Sequence, residues 1–147
     1  MADRALDDLR VLDISESASG AWCSRMLADF GAKVLMVEGP AGHPLRGEAP
    51  FDGDGRSIAG ELFLANKQSI VLDLSSAAGR EAALALGRRC DIVVSSHSPS
   101  RLEALGLTYQ AFDRPSLVMT HITPYGGGGP TNGRRRWICP ESLQREF

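Results

Sequence analysis

The sequence predicts an α/β fold built on an open, mostly parallel sheet, and three observations carry that prediction. Short apolar runs alternate with amphipathic stretches along most of the 147 residues, the pattern of strands joined by crossover helices. The run Leu9–Glu38 reads as strand, small-residue turn, helix, glycine stop, second strand and then an acid, the layout of a nucleotide-binding βαβ unit. The apolar runs are continuous rather than alternating, as strands buried on both faces are.

Taken in order, Arg10–Ile14 sets Val11, Leu12 and Ile14 around Asp13, a short buried strand. Ser15–Gly20 is all small or polar and suits a turn. Ala21–Phe30 follows with Trp22, Met26 and Phe30 at i, i+4, i+8, and Cys23 and Leu27 beside them, which predicts one apolar helical face. Gly31 stands where a left-handed cap ends the helix, and Lys33–Glu38 is a second strand. Gly39–Gly60 is rich in glycine and proline and reads as one long surface loop. Ser69–Leu72 is a third strand. Ser75-Ser76 offers an N-cap for a helix over Ala77–Arg89, with Ala82, Ala83, Leu84 and Leu86 on its packing side. Asp91–Val94 is a fourth strand, Pro99–Leu105 and Tyr109–Phe112 are short helical turns, and Leu117–Ile122 is a fifth strand. Beyond Thr131 no strand or helix period is visible, and a poorly ordered tail is expected over 131–147.

Composition narrows the function classes. Hydrophobic residues make up 43% and the net charge is −2, which suits a soluble globular domain and gives no basic field for a nucleic acid. No apolar stretch is long enough to span a membrane, and the acidic start lacks the apolar core of a signal peptide. Cys23, Cys90 and Cys139 lack CxxC spacing and a histidine at ligand spacing, so reduced thiols in a cytoplasmic protein, with no metal, are expected.

In an open parallel sheet, ligands bind outside the carboxyl ends of the strands. Four such ends are polar or small here: Ser15-Glu16, Glu38-Gly39, Ser95-Ser96 and Thr123-Pro124. The first feeds a helix N-terminus, whose free N–H groups can hold a phosphate. A dinucleotide fingerprint needs three placed glycines, and only Gly20 is present, although Glu38 ends the second strand where a ribose-binding acid sits. A turn with no ligand is the alternative. Ser17 and Ser19 have no triad partners and no GxSxG elbow. Asp13, Asp73 and Asp91, at or near strand ends, read as solvated acids, and His43, His97 and His121 as loop or strand-end residues.

Several segments together resemble the family III CoA transferases, the group of formyl-CoA transferase, carnitine-CoA transferase and α-methylacyl-CoA racemase. They are Leu9-Arg-Val-Leu-Asp13, Leu27-Ala-Asp-Phe-Gly-Ala32, Val34-Leu-Met-Val-Glu38, Pro44-Leu-Arg46, Asn66-Lys-Gln-Ser-Ile-Val-Leu-Asp-Leu74, Cys90-Asp-Ile-Val-Val94, Leu102-Glu-Ala-Leu-Gly-Leu107 and Tyr125-Gly-Gly-Gly-Gly-Pro130. The resemblance implies the N-terminal, Rossmann-like half of the family's large domain over residues 8–130. It implies transfer of CoA between carboxylic acids through an aspartyl mixed anhydride, a carboxylate route that divides one hard step into easier ones. Coenzyme A or an acyl-CoA would be the substrate with a carboxylic acid, and a second chain or homodimer partner would complete the fold. Racemase chemistry, a CoA-binding or regulatory module without catalysis, and a nicotinamide-binding domain are the alternatives.

Carried over position by position, the CoA contacts fall at Ala18 and Ser19, at Leu72, Asp73, Leu74 and Ser75, and at Ser96, His97 and Ser98, many of them through backbone. Three positions depart from the family pattern. Gly39 stands where a basic residue is frequent, with Arg46 on the same loop as a substitute. Ser95-Ser-His-Ser-Pro-Ser100 replaces a stretch with an aromatic and a cation, His97 offering a ring against adenine. Ala104 replaces an arginine, with Arg101 one turn back. No residue falls at the position of the catalytic aspartate, and the tail 131–147 reads as a truncated or frameshifted end.

Overall fold

The structure, a computed structural model, describes residues 4–124; the expectations for Tyr125–Pro130 and for the tail 131–147 lie outside the described residues. The elements are β1 (Arg10–Asp13), α1 (Ala18–Asp29), β2 (Lys33–Glu38), a 3-10 helix (Pro44–Gly47), α2 (Ile58–Leu64), β3 (Gln68–Val71), α3 (Ala77–Gly87), β4 (Ile92–Ser95), α4 (Pro99–Leu105), a second 3-10 helix (Tyr109–Phe112) and β5 (Val118–His121). The five strands form one sheet in the order β3-β2-β1-β4-β5, with every neighbouring pair parallel. The predicted α/β class holds, and the strand boundaries move by a residue at most ends.

The central strand β1 pairs Val11 with Val34 on one side and with Ile92 on the other. Its residues alternate between two apolar layers. Leu12 and Ile14 join Ala83, Val93, Leu102, Leu107 and Phe112 on the face covered by α3 and α4. Val11 joins Ala28, Ala32, Val34 and Val94 on the face covered by α1. Val11, Leu12, Val93 and Val94 are fully buried, and burying a side chain of this kind contributes about 1.5–3 kcal/mol relative to exposure.

Local chemistry explains the helix ends. Ser17, Ser57, Ser76 and Ser98 each stand at an N-cap and accept the N–H three residues on, satisfying one of the donors a helix start leaves over. Gly31 takes φ +113° just after α1, where a side chain on Cβ is strained.

Two expectations fail. The Trp22/Met26/Phe30 stripe is not the buried face of α1: Trp22 and Phe30 are exposed, while Gly20, Ala21, Ser24 and Ala28 are buried. Small side chains let the helix axis approach the sheet, and Gly20 packs so close that a Cβ there would lie 2.3 Å from Ser15 Cβ. The Gly39–Gly60 segment is not one loop. It holds the 3-10 helix whose Leu45 is buried, and from Ile58 it is already α2. Leu45 and Leu64 pack with Ala21 and Met36 in a third apolar cluster.

Candidate functional site

The strand order reverses between β1 and β4, the switch point at whose carboxyl edge open parallel sheets bind ligands. The loop after β1, just before the predicted Ala18 and Ser19, meets the predicted Ser96–Ser98 segment there. The Glu16 N–H donates to Ser96 Oγ at 2.9 Å, and the Glu16 carboxylate lies 3.9 Å from His97 Nδ1. Ala18 and Ser19 are exposed and already belong to the first turn of α1. Ser17 caps Gly20 at 3.2 Å, so the N–H groups of Ala18 and Ser19 are the first-turn donors left without an intrahelical acceptor.

The third segment stands apart. Leu72–Ser75 follows the edge strand β3, two strands from β1, or about 10 Å at the usual strand spacing. Leu72 and Leu74 turn their side chains to the core. Asp73 accepts Ser75 N–H at 2.9 Å and Ser75 Oγ at 2.6 Å, bonds that hold its carboxyl below the usual range. What this segment offers a ligand is therefore mostly backbone.

His97 is not a solvated loop residue. It is 7% exposed, its N–H donates to Ser95 Oγ at 3.1 Å, and its buried Nε2 has no hydrogen-bond partner among the described residues. Burial lowers its pKa, with the Glu16 carboxylate opposing. His43 is buried too: its Nδ1 accepts Leu45 N–H at 3.2 Å and caps the 3-10 helix, while its Nε2 has no partner among the described residues. Burial lowers its pKa as well. His121, by contrast, is exposed at the end of β5.

The acids are corrected most strongly. Asp13 is fully buried, not solvated. Its Oδ1 accepts Ser15 N–H at 2.9 Å and Ser15 Oγ at 2.6 Å; its Oδ2 accepts Ser24 Oγ and Lys67 Nζ, the latter at 3.2 Å. Glu38 accepts His43 N–H at 2.7 Å, Arg46 Nε and Nη2 at 2.8 Å each, and Ser69 Oγ. The Arg46 guanidinium, ahead of the Ser69 and His43 hydrogen bonds and against burial, holds its carboxyl down at about 2. A carboxylate has about four acceptor positions, so neither group has one left for a ligand. Glu38 therefore has no place for a ribose hydroxyl, and Arg46 has two donors committed to it. Asp91 is half-buried at the opposite end of β4, paired with Arg114 at 2.6 Å.

Sequence reading missed the wall beside the turn. Trp22, Leu62 and Phe63 with Ala18 and Ser19 line a crevice of about 460 Å³ at the head of α1, and the Trp22 and Phe63 rings meet edge to face at 5.7 Å. The signal was present in Ser57 followed by Leu62-Phe63-Leu64, a cap before an apolar run, but seven residues among glycines give too little period to read. Among the described residues, no group of three His, Cys, Asp or Glu stands where it could hold a metal.

Residues 6–137 match the model of CoA-transferase family III. The chain belongs to that family. Among its relatives, succinyl-CoA:mesaconate CoA-transferase of Haloarcula hispanica is 38% identical over 128 residues, covering 83% of this chain and 32% of that protein. Formyl-CoA:oxalate CoA-transferase of Rhodopseudomonas palustris is 35% identical, covering 85% and 30%. A solved CAIB/BAIF family protein from Brucella suis superposes with a TM-score of 0.79 at 30% identity, covering 90% of this chain and 36% of that one. Rv3272 from Mycobacterium tuberculosis gives 0.78 at 30%, covering 89% and 38%. The chain thus spans about a third of the length of the relatives it matches. No helix among the described residues is long and apolar enough to cross a membrane.

Proposed function

We propose that this segment is the CoA-binding half of an acyl-CoA:carboxylate CoA transferase, and that the carboxylate accepting the acyl group is not among residues 4–124. The observation that carries the reading is the junction of the β1 and β4 loops in a chain of this family, sealed by the Glu16–Ser96 hydrogen bond. CoA would lie across the carboxyl edge of the sheet. Its phosphates would meet the N–H groups of Ala18 and Ser19, and the backbone of Leu72–Ser75 and Ser96–Ser98 would take the remaining contacts, with the buried ring of His97 alongside. The relatives act on small dicarboxylates such as mesaconate and oxalate with succinyl-CoA or formyl-CoA, which makes a CoA thioester and a small carboxylic acid the substrate class.

The acyl-accepting group would have to be a free carboxylate near the thioester. Asp13 and Glu38 are saturated, Asp73 is held in its own turn by Ser75, and Asp91 lies at the wrong end of the sheet. Glu16 is a free carboxylate at this edge, facing His97, but it does not fall at the catalytic position that the family resemblance implies. A further stretch of polypeptide or a second chain would supply the acyl-accepting group. A module that binds CoA without turnover shares the same binding chemistry.

Calorimetric titration with CoA, and with NAD as the control, tests the reading. Saturable CoA binding without NAD binding supports it, and transfer of CoA to a carboxylic acid then separates enzyme from module. A folded sample that binds neither, or NAD alone, overturns it.

A further inference from the structure

The Asp13–Lys67 pair links elements that are far apart in the chain, and it lies directly beneath the turn proposed above to take CoA. Both side chains are fully buried. The four acceptor positions of Asp13 go to Ser15 N–H, Ser15 Oγ, Ser24 Oγ and Lys67 Nζ. Lys67 Nζ also donates to the Ala21 carbonyl at 2.7 Å. One carboxylate and one ammonium thus hold the start of the turn at Ser15 and its far end at Ala21 and Ser24.

The route by which Lys67 arrives is equally specific. Asn66, between α2 and β3, takes φ +62° and donates from Nδ2 to Asp29 Oδ1 at 2.6 Å. A residue in this left-handed conformation turns the chain sharply, and here it sends Lys67 under α1. Among the described residues, the hydrogen bonds of Lys67 Nζ go to Asp13 and Ala21 and not to the exposed Ala18 or Ser19.

We propose that Lys67, acting through Asp13, is a positioning residue for the CoA turn: it fixes the backbone of Ser15–Ala21 so that the N–H groups of Ala18 and Ser19 keep one orientation toward the ligand. This rests on the CoA reading for its ligand but not for its mechanics. Ordering the turn before binding removes an entropy loss that binding would otherwise carry. Loosening it weakens affinity without removing a ligand contact.

The test uses the full chain with Lys67→Met and the double variant Asp13→Asn/Lys67→Met. The single variant leaves a buried charge unpaired and lowers the melting temperature or prevents folding. The double variant is neutral in the core and recovers stability. In the double variant, amide hydrogen exchange over residues 15–21 is expected to rise about tenfold or more, with β2 and β4 unchanged. Its Kd for CoA is expected to weaken by about tenfold, because the turn must be ordered on binding. Exchange over 15–21 equal to wild type overturns the inference, whatever CoA does. So does a CoA affinity that recovers together with the melting temperature, because the pair would then be structural only. Faster exchange combined with no CoA binding by the wild-type chain overturns the CoA reading and, with it, the ligand assigned to this turn, while the mechanical hold stands.

Discussion

Replacing Arg46 by Met isolates the ion pair that closes the loop after β2. Glu38 is 5% exposed and Arg46 meets it through two parallel bonds of 2.8 Å. A carboxyl moved from 4.5 to about 2 is linked to about 3 kcal/mol of folding free energy, at roughly 1.4 kcal/mol per pH unit. Arg46 is the largest cause, but Ser69 and His43 remain in the variant and the Arg46 side chain is 48% exposed. Solvent screening therefore reduces the expected loss to about 1–2 kcal/mol. The sign follows from the direction. Because the folded-state pKa is depressed, the stabilisation is complete above the unfolded value of 4.5 and disappears as pH falls through about 2. The gap between wild type and Arg46→Met should hold from pH 7 to about pH 4 and close toward pH 2. Urea denaturation reads it directly: with a slope near 2 kcal/mol per molar, the midpoint should drop by about 0.5–1 M at pH 7. A gap of only a few tenths of a kcal/mol at pH 7, or one that persists undiminished at the acid limit, would refute the reasoning.

Other outcomes follow from the same packing. Gly87→Ala places a Cβ 2.3 Å from Phe112 Cε1, and Phe112 is fully buried; a loss of about 1–3 kcal/mol is expected in thermal unfolding despite the better helix propensity of alanine. His97 is held neutral by burial, so its pKa lies below the ordinary 6.5. As pH falls below 6.5 the unfolded chain binds a proton that the folded one refuses, and stability drops; His97→Asn should flatten the stability profile on the acid side of pH 6.5, and an unchanged slope would count against the assignment. Asn66→Ala should be less stable than Asn66→Gly by about 1–2 kcal/mol, since both lose the bond to Asp29 but only alanine is strained at φ +62°; equal melting temperatures would show that the conformation there carries no strain.

The resemblance in sequence and the bonds in space turn out to be the same feature seen twice. Asp13 and Glu38 each end a matched segment near the N-terminus, and Asp29 lies inside one. Each bonds to the segment that begins at Asn66: Asp13 to Lys67, Asp29 to Asn66 and Glu38 to Ser69. The partners are 54, 37 and 31 residues apart. As strings, Asp13 looked like a solvated acid and Glu38 like a ribose-binding one; in the fold all three are cross-links that fasten β3 and the end of α2 to β1, α1 and β2.

By itself, the sequence determined the α/β class, the five strands, the serine cap of α3 and the glycine stop after α1, because apolar runs, cap hydroxyls and left-handed glycines act over a few neighbouring residues. It also placed the turn after β1 and the loop after β4 as the edge to inspect, since parallel strands gather their carboxyl ends on one side. Only the tertiary structure decided which face of α1 is buried. Periodicity favoured Trp22 and Phe30, but the close approach of helix to sheet admits only the small residues Gly20, Ala21, Ser24 and Ala28. Only the tertiary structure, again, buried Asp13, Glu38, His43 and His97. A polar group is stable inside a protein when partners from distant segments satisfy it, and no local pattern records where those partners will be.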